Sequence, residues 1–249
     1  MLRPRTMLAC TLAVSLLLPS LALAQATTGF VKGDVLVWGA VGIEGDLGGS
    51  VNSSGVGTIN GMRTEVNANA WGERYTPALA IQYGVAFNSN SISQFFVSGH
   101  WDQSESDTAV IGLMGGQPLT ATFSDYQGWG FSFGGRRYFP TTIQAKPFVS
   151  GSIGFEHRKA INAILSSDPV GFIEQDVPFY ADSWVTQWRV GGGMMWELTP
   201  RVGWQATADI KYSGVLSDVA GLGTLGLERI NDTGNRWSLP VMAGIFVKF

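Results

Sequence analysis

Sixteen lysines and arginines against 19 acidic residues leave the 249-residue chain at a net charge of -3, which argues against bulk nucleic-acid binding, and a single cysteine excludes a disulfide framework. Glycine is abundant (33 residues) and tryptophan unusually so (nine), while charged side chains make up 14%, well below the usual share of about a quarter. No apolar run long enough for a membrane-spanning helix follows the first two dozen residues, so a membrane-embedded form of this chain has to close a sheet.

In chain order, Arg3 and Arg5 precede an apolar stretch from Met7 to Leu23, and Ala22-Leu23-Ala24 forms a small-x-small site before Gln25. This is the pattern of a secretory signal peptide over residues 1–24, cleaved between Ala24 and Gln25. The only cysteine, Cys10, lies inside it, so the exported chain, 25–249, carries none and has a net charge of -5. Its length suits one closed barrel domain.

The first strand is expected from Gly33 to about Asp46, with Val35, Val37, Val41 and Ile43 on one phase and Leu36, Trp38 and Ala40 on the other. Leu47 to Ala70 reads as a long loop with Ser-Ser-Gly and Ile-Asn-Gly turn signals. Strand two (about Tyr75 to Phe87) and strand three (Ile92 to about Trp101) flank a tight turn, and Asp102 to Leu119 is a second long connection. Strand four runs from about Ala121 to Tyr138, with Trp129, Phe131 and Phe133 opposite Gly128, Gly130, Ser132 and Gly134. Strand five (about Pro147 to His157), a third long connection to Tyr180, and strand six (Ser183 to Glu197) follow. Beyond Thr199-Pro200-Arg201, strand seven (Val202 to Ser213) alternates most cleanly, and Gly214 to Asn235 is a fourth long loop.

The last strand places Trp237, Leu239, Val241, Ala243, Ile245, Val247 and Phe249 on one apolar face. Long and short connections alternate through eight strands, the rhythm of an antiparallel transmembrane up-and-down β-barrel with both chain ends on the short-turn side. A ten-strand count adds strands near Gly57 to Ala70 and Thr108 to Gly115. Trp184, Trp196, Trp204 and Trp237 fall toward strand ends on the apolar phase, where aromatic girdles belong.

Signal, alternation, loop rhythm and terminal aromatic together resemble the small bacterial outer-membrane barrels of the OmpA, OmpX and opacity-protein type, over the barrel alone and without a peptidoglycan-binding domain. The resemblance implies outer-membrane lipid as solvent and an assembly signal, Trp237, Leu239, Val241, Ile245, Val247 and Phe249, read by the barrel-assembly machinery.

With the apolar phase facing lipid, the interior phase is glycine, serine, alanine, glutamine and a few charges, enough to fill the lumen of a barrel this size. A lumen charge cluster of Glu156, Arg189, Asp209 and Lys211 is expected, with an Arg189–Asp209 ion pair extended by Glu156. No cofactor or metal site is legible. The expected function is that of a non-enzymatic surface protein acting in envelope integrity or in contacts with external ligands through its loops. The alternatives are a narrow channel for small or apolar solutes and a lipid-modifying enzyme using His100, near Asp102 and Ser104, at the barrel rim.

Overall fold

The computed structural model describes residues 30–141, 144–227 and 229–249. The expected signal peptide, with Ala22, Ala24 and Gln25, lies outside the described residues. Eight strands form the barrel: β1 (Val35–Gly48), β6 (Ala78–Asn90), β7 (Ser93–Ser104), β10 (Tyr126–Tyr138), β11 (Ala145–Arg158), β14 (Ser183–Glu197), β15 (Val202–Ser213) and β16 (Arg236–Lys248). Each pairs antiparallel with the next, and β1 pairs with β16 over the register Leu36–Lys248 to Gly48–Trp237, which closes the sheet. Closure satisfies every strand edge internally, the condition for a sheet to stand in hydrocarbon.

The phase of each strand decides what it meets. On the outward phase Val37, Val41, Val85, Val97, Phe133 and Ile245 are exposed around the wall, an apolar belt that no other described residue covers. No helix among the described residues is long and apolar enough to cross a membrane. Trp101, Trp129, His157 and Trp184 stand in one register row toward the loop end. Trp196 and Trp204 stack at 3.8 Å toward the turn end. These two levels are the girdles of a transmembrane barrel.

The inward phase is not uniformly polar. Leu36, Trp38, Phe96, Phe148, Met195 and Phe246 pack into an apolar core in the turn-side half, together with Phe30 from the segment before β1. The phase of β1 that blurs its alternation, Leu36, Trp38 and Ala40, is therefore a core face. Inward glycines make room for the large side chains beside them: a Cβ on Gly191 would lie 2.2 Å from Asp209 Oδ1.

The count is eight, and the extra strands of the ten-strand reading exist but are not staves. β3 (Gly55–Ile59), β4 (Met62–Val66), β8 (Ala109–Met114), β9 (Gln117–Phe123), β12 (Ile161–Ser167) and β13 (Phe172–Tyr180) form a separate six-stranded sheet in the order β13-β12-β9-β8-β4-β3. Three of the four long connections are thus β-hairpins. Asn60 (φ 50°) with Gly61 (φ 77°), and Gly115 (φ 58°) with Gly116 (φ 81°), supply the paired positive φ of two-residue hairpin turns. Two short strands, β2 (Ser50–Asn52) and β5 (Asn69–Ala70), pair beneath, and a one-turn helix, α1 (Trp71–Arg74), follows.

The expected strand from Ala121 to Tyr138 is two strands. Ala121 and Phe123 face inward, and so do Tyr126 and Gly128, so the phase changes across Ser124-Asp125. At that break Ser124 N–H donates to Asn162 O at 2.8 Å instead of continuing the barrel ladder.

Candidate functional site: the filled lumen and the β-head

The loop-side half of the lumen is a buried ionic layer. Glu44 and Asp46 come from β1, His100 and Asp102 from β7, Glu156 and Arg158 from β11, Lys211 from β15 and Arg236 from β16, all on inward positions. Lys211 Nζ lies 2.9 Å from Glu156 Oε1, 3.3 Å from both Glu44 oxygens and 3.7 Å from Asp102 Oδ1. Arg158 donates to Asp102 Oδ2 at 2.7 Å and also to Glu156, while Arg236 donates to Asp46. Ser213 and Ser238 donate to Glu156 and Glu44 at 2.8 and 2.7 Å. The guanidinium carbons of Arg158 and Arg236 stand 4.1 and 4.5 Å from the Tyr126 ring centroid. Each of the four carboxylates has a cation within 4.0 Å, and Glu44 and Glu156 accept from a serine hydroxyl as well, pairing that makes burial of these charges tolerable.

His100 belongs to this layer. Its Nε2 is 3.1 Å from Glu156 Oε1 and its Nδ1 is 3.4 Å from the Gln187 amide, and the residue is buried. His100, Asp102 and Glu156 bring potential ligand atoms within 4.8 Å of one another. Arg158 and Lys211 already occupy those oxygens, so the donor set is that of a salt-bridge network. His157 points the other way and packs between Trp129 and Trp184, with centroids at 5.6 and 5.3 Å.

The expected Arg189–Asp209 ion pair is not formed. The turn after β14 sets Arg189 opposite Lys211 and Gly191 opposite Asp209, so Asp209 is two residues out of step with Arg189. Among the described residues Arg189 reaches only Gln187 Oε1 at 3.5 Å, and Asp209 Oδ1 accepts from Ser150 at 3.4 Å. Glu156 is paired with Lys211 and Arg158, not Arg189. Of the four residues expected to cluster, Glu156 and Lys211 meet directly, and Arg189 and Asp209 lie in the layer below. The expected cluster lacked Glu44, Asp46, Asp102, Arg158 and Arg236. Glu44 and Asp46 continue the inward phase of Ala40, and Asp102, Arg158 and Arg236 that of His100, Glu156 and Ser238, and that phase was the available signal.

Below the ionic layer, Arg136 donates to Gln205 Oε1 at 3.1 Å and to Gln94 Oε1 at 3.4 Å, and its guanidinium lies 5.0–5.1 Å from the rings of Trp38, Phe96 and Phe148. The cavity bounded by Arg136, Arg189 and Asp209 is about 20 Å³, room for about one water. Phe30 seals the turn-side floor, 4.8 Å from Tyr138, with Lys146 Nζ 4.1 Å from its ring. Lys146 and Lys248 each pair with Glu197, at 3.3 and 3.2 Å.

Above the barrel the hairpins close over a second core. Trp71, Tyr75, Phe123, Phe179, Leu222 and Ile230 are among its buried members. The fourth connection, between β15 and β16, carries no strand among its described residues; it lies across both free edges of the six-stranded sheet. Ser53 N–H donates to Ile230 O at 2.6 Å beside β3, and Asn231 Nδ2 donates to Phe179 O at 2.7 Å on β13. Covering both edges removes the template for strand addition. Burial pushes the phenols of Tyr75 and Tyr180 upward, as expected inside a dry core. On the outside of this β-head Val56, Val110, Leu113, Ile164 and Ile173 are exposed.

A closed eight-stranded sheet with a lipid-facing belt, aromatic girdles and a filled lumen defines a transmembrane β-barrel of the small outer-membrane type. No family model matches the chain, and no curated protein sequence does. Among solved structures it is similar to Neisserial surface protein A (13% identity, 88% of this chain and 100% of that chain, TM-score 0.47). It is also similar to the outer membrane protein OprG of Pseudomonas aeruginosa (12%, 90% and 99%, 0.43) and to the outer membrane protease OmpT of Escherichia coli (8%, 91% and 100%, 0.38). These likenesses concern strand arrangement alone. The assignment as a transmembrane barrel rests on this chain's own closed sheet and belt.

Proposed function

We propose that the chain is a non-conducting, non-enzymatic outer-membrane protein that holds a rigid β-head at the cell surface for contact with external partners. The observation that carries this reading is the union of three loop hairpins into one sheet with its own core and covered edges. Loops that only joined staves would not bury a second hydrophobic core. The head is acidic: its four connections hold twelve acidic and four basic residues, which favours a cationic partner and contact that weakens with salt. The exposed Val56, Val110, Leu113, Ile164 and Ile173 supply the apolar part of such a contact.

Two arrangements support the negative parts of the proposal. The ionic layer and the apolar floor fill the lumen in series, and His100 is engaged with Glu156 and Gln187 instead of standing free at the rim. Export by residues 1–24 and recognition of the apolar end strand by the barrel-assembly machinery belong to the same proposal. In that strand Leu239, Val241, Ile245 and Phe249 are exposed on the lipid side, as an assembly signal requires.

The exported chain contains no cysteine, so single cysteines test the placement. Thr58→Cys, exposed on the head, is expected to react with a membrane-impermeant maleimide on intact cells, and Arg201→Cys in a short turn only after lysis. The reverse pattern would overturn the proposed orientation, and with it the surface role.

A further inference from the structure

The outer wall of the barrel is not evenly covered. Gly135 of β10 and Gly151 of β11 are direct cross-strand partners, and both stand on the outward phase. Neither has a positive φ, and neither is forced to be glycine by packing. A Cβ on Gly135 would meet nothing nearer than 3.5 Å, and one on Gly151 nothing nearer than 3.9 Å. The inward glycines of the same strands differ: a Cβ on Gly130, Gly134 or Gly154 would come within 2.2 Å of backbone.

The missing side chains leave an apolar groove of about 760 Å³ in the wall, flanked by Phe95, Val97, Phe133 and Ile153. A second depression of about 330 Å³ shares Phe95, Gly135 and Gly151 with it and runs to Arg137 at the turn end of β10. Arg137 is exposed, donates only to Ser93 Oγ at 3.5 Å, and has no carboxylate within 4.0 Å among the described residues. Two residues of strand separate it from Gly135, roughly 7 Å along the wall. The surface therefore offers an apolar channel inside the hydrocarbon layer that ends on an unpaired cation at headgroup level.

We propose that this groove is a binding site for one anionic glycerophospholipid of the turn-side leaflet, with an acyl chain laid over Gly135 and Gly151 and the phosphate on Arg137. The flanking aromatic and branched side chains grip the chain by close contact, and the cation selects the headgroup by charge. A lipid held this way exchanges more slowly than the lipid covering the rest of the belt. The inference requires only that the barrel cross a bilayer, and it is independent of what the head contacts.

The test is native mass spectrometry of the full exported chain, released from detergent in the presence of phosphatidylglycerol or of a neutral diacylglycerol with the same chains. Wild type is expected to retain a single phosphatidylglycerol under activation that strips the diacylglycerol. Gly135→Leu with Gly151→Leu fills open space and so leaves heat-modifiable folding intact, and it lowers the retained fraction at least fivefold. Should that pair fail to fold, Gly151→Ala alone makes a smaller filling and lowers retention in the same direction. Arg137→Gln abolishes the preference for phosphatidylglycerol over diacylglycerol while leaving chain binding. An unchanged single adduct in a folded groove-filling variant, or no retained lipid on folded wild type, overturns the site without touching the surface reading.

Discussion

Replacing Lys211 with methionine removes one ammonium and keeps most of the stem, so the change isolates charge. Lys211 is fully buried and lies within 2.9–3.7 Å of the carboxylates of Glu156, Glu44 and Asp102. Each contact is worth on the order of 5 kcal/mol of gross attraction at an effective dielectric of about 20. Desolvation cancels most of that, and breaking a buried pair from one side costs about 3–5 kcal/mol net. Arg189→Met is the control on the facing position, because among the described residues Arg189 has no carboxylate within 4.0 Å and one long hydrogen bond at 3.5 Å. Its expected cost is about 1 kcal/mol or less. Urea unfolding in lipid vesicles, followed by tryptophan fluorescence and heat-modifiable migration, reads both. With m of about 1–3 kcal/mol per molar, Lys211→Met lowers the midpoint by roughly 1 M or more and Arg189→Met by much less. Combining Lys211→Met with Glu156→Gln gives less than the summed loss, with a coupling of about 0.5–3 kcal/mol. Equal shifts for the two single variants, or full additivity in the pair, would refute the ionic layer as described.

Trp71→Ala removes a fully buried side chain from the head core, whose indole N–H donates to Asn235 O at 2.9 Å. It is expected to cost about 3–5 kcal/mol and to open the hairpins to protease while the staves stay protected, seen as cleavage confined to the four connections. Gly61→Val places a branched side chain at φ 77° and is expected to increase amide exchange in β3 and β4 with no change in β14 and β15. Val241→Arg puts a charge on the lipid face midway along β16 and is expected to lower folding stability by about 2–4 kcal/mol in vesicles, whereas Thr58→Arg on the head changes it by less than about 0.5 kcal/mol.

The legibility of the fold followed the strength of alternation. β14 and β15 run over the expected residues because Trp188, Val190 and Met194 on one and Val202, Trp204 and Ile210 on the other leave no doubt of phase. The head was not legible as a sheet. Its outward positions mix Val56 and Ile164 with Arg63, Thr122 and Glu174, so the outward face of these short strands is neither uniformly polar nor uniformly apolar, and what pairs with what is settled only by tertiary contact. The turn signals at Asn60-Gly61 and Gly115-Gly116 were present, yet a turn does not say whether its arms extend a barrel or leave it. The ionic layer was half visible for a related reason. Asp102 and Arg158 read as the polar beginnings of loops, whereas β7 runs on to Ser104 and β11 to Arg158, carrying both charges into the lumen. The Arg189–Asp209 pairing failed on register alone, since a two-residue difference across a hairpin separates partners from mere neighbours.

Single-channel recording in planar bilayers tests the central claim most directly, because the claim is a barrel that crosses the membrane with its lumen filled. Correctly folded protein, verified by heat-modifiable migration before insertion, is expected to give no discrete current steps at any applied potential, with the ionic layer and the Phe30 floor both in place. Reproducible unitary steps from that same folded material would contradict the filled lumen and make a narrow channel the function of the barrel.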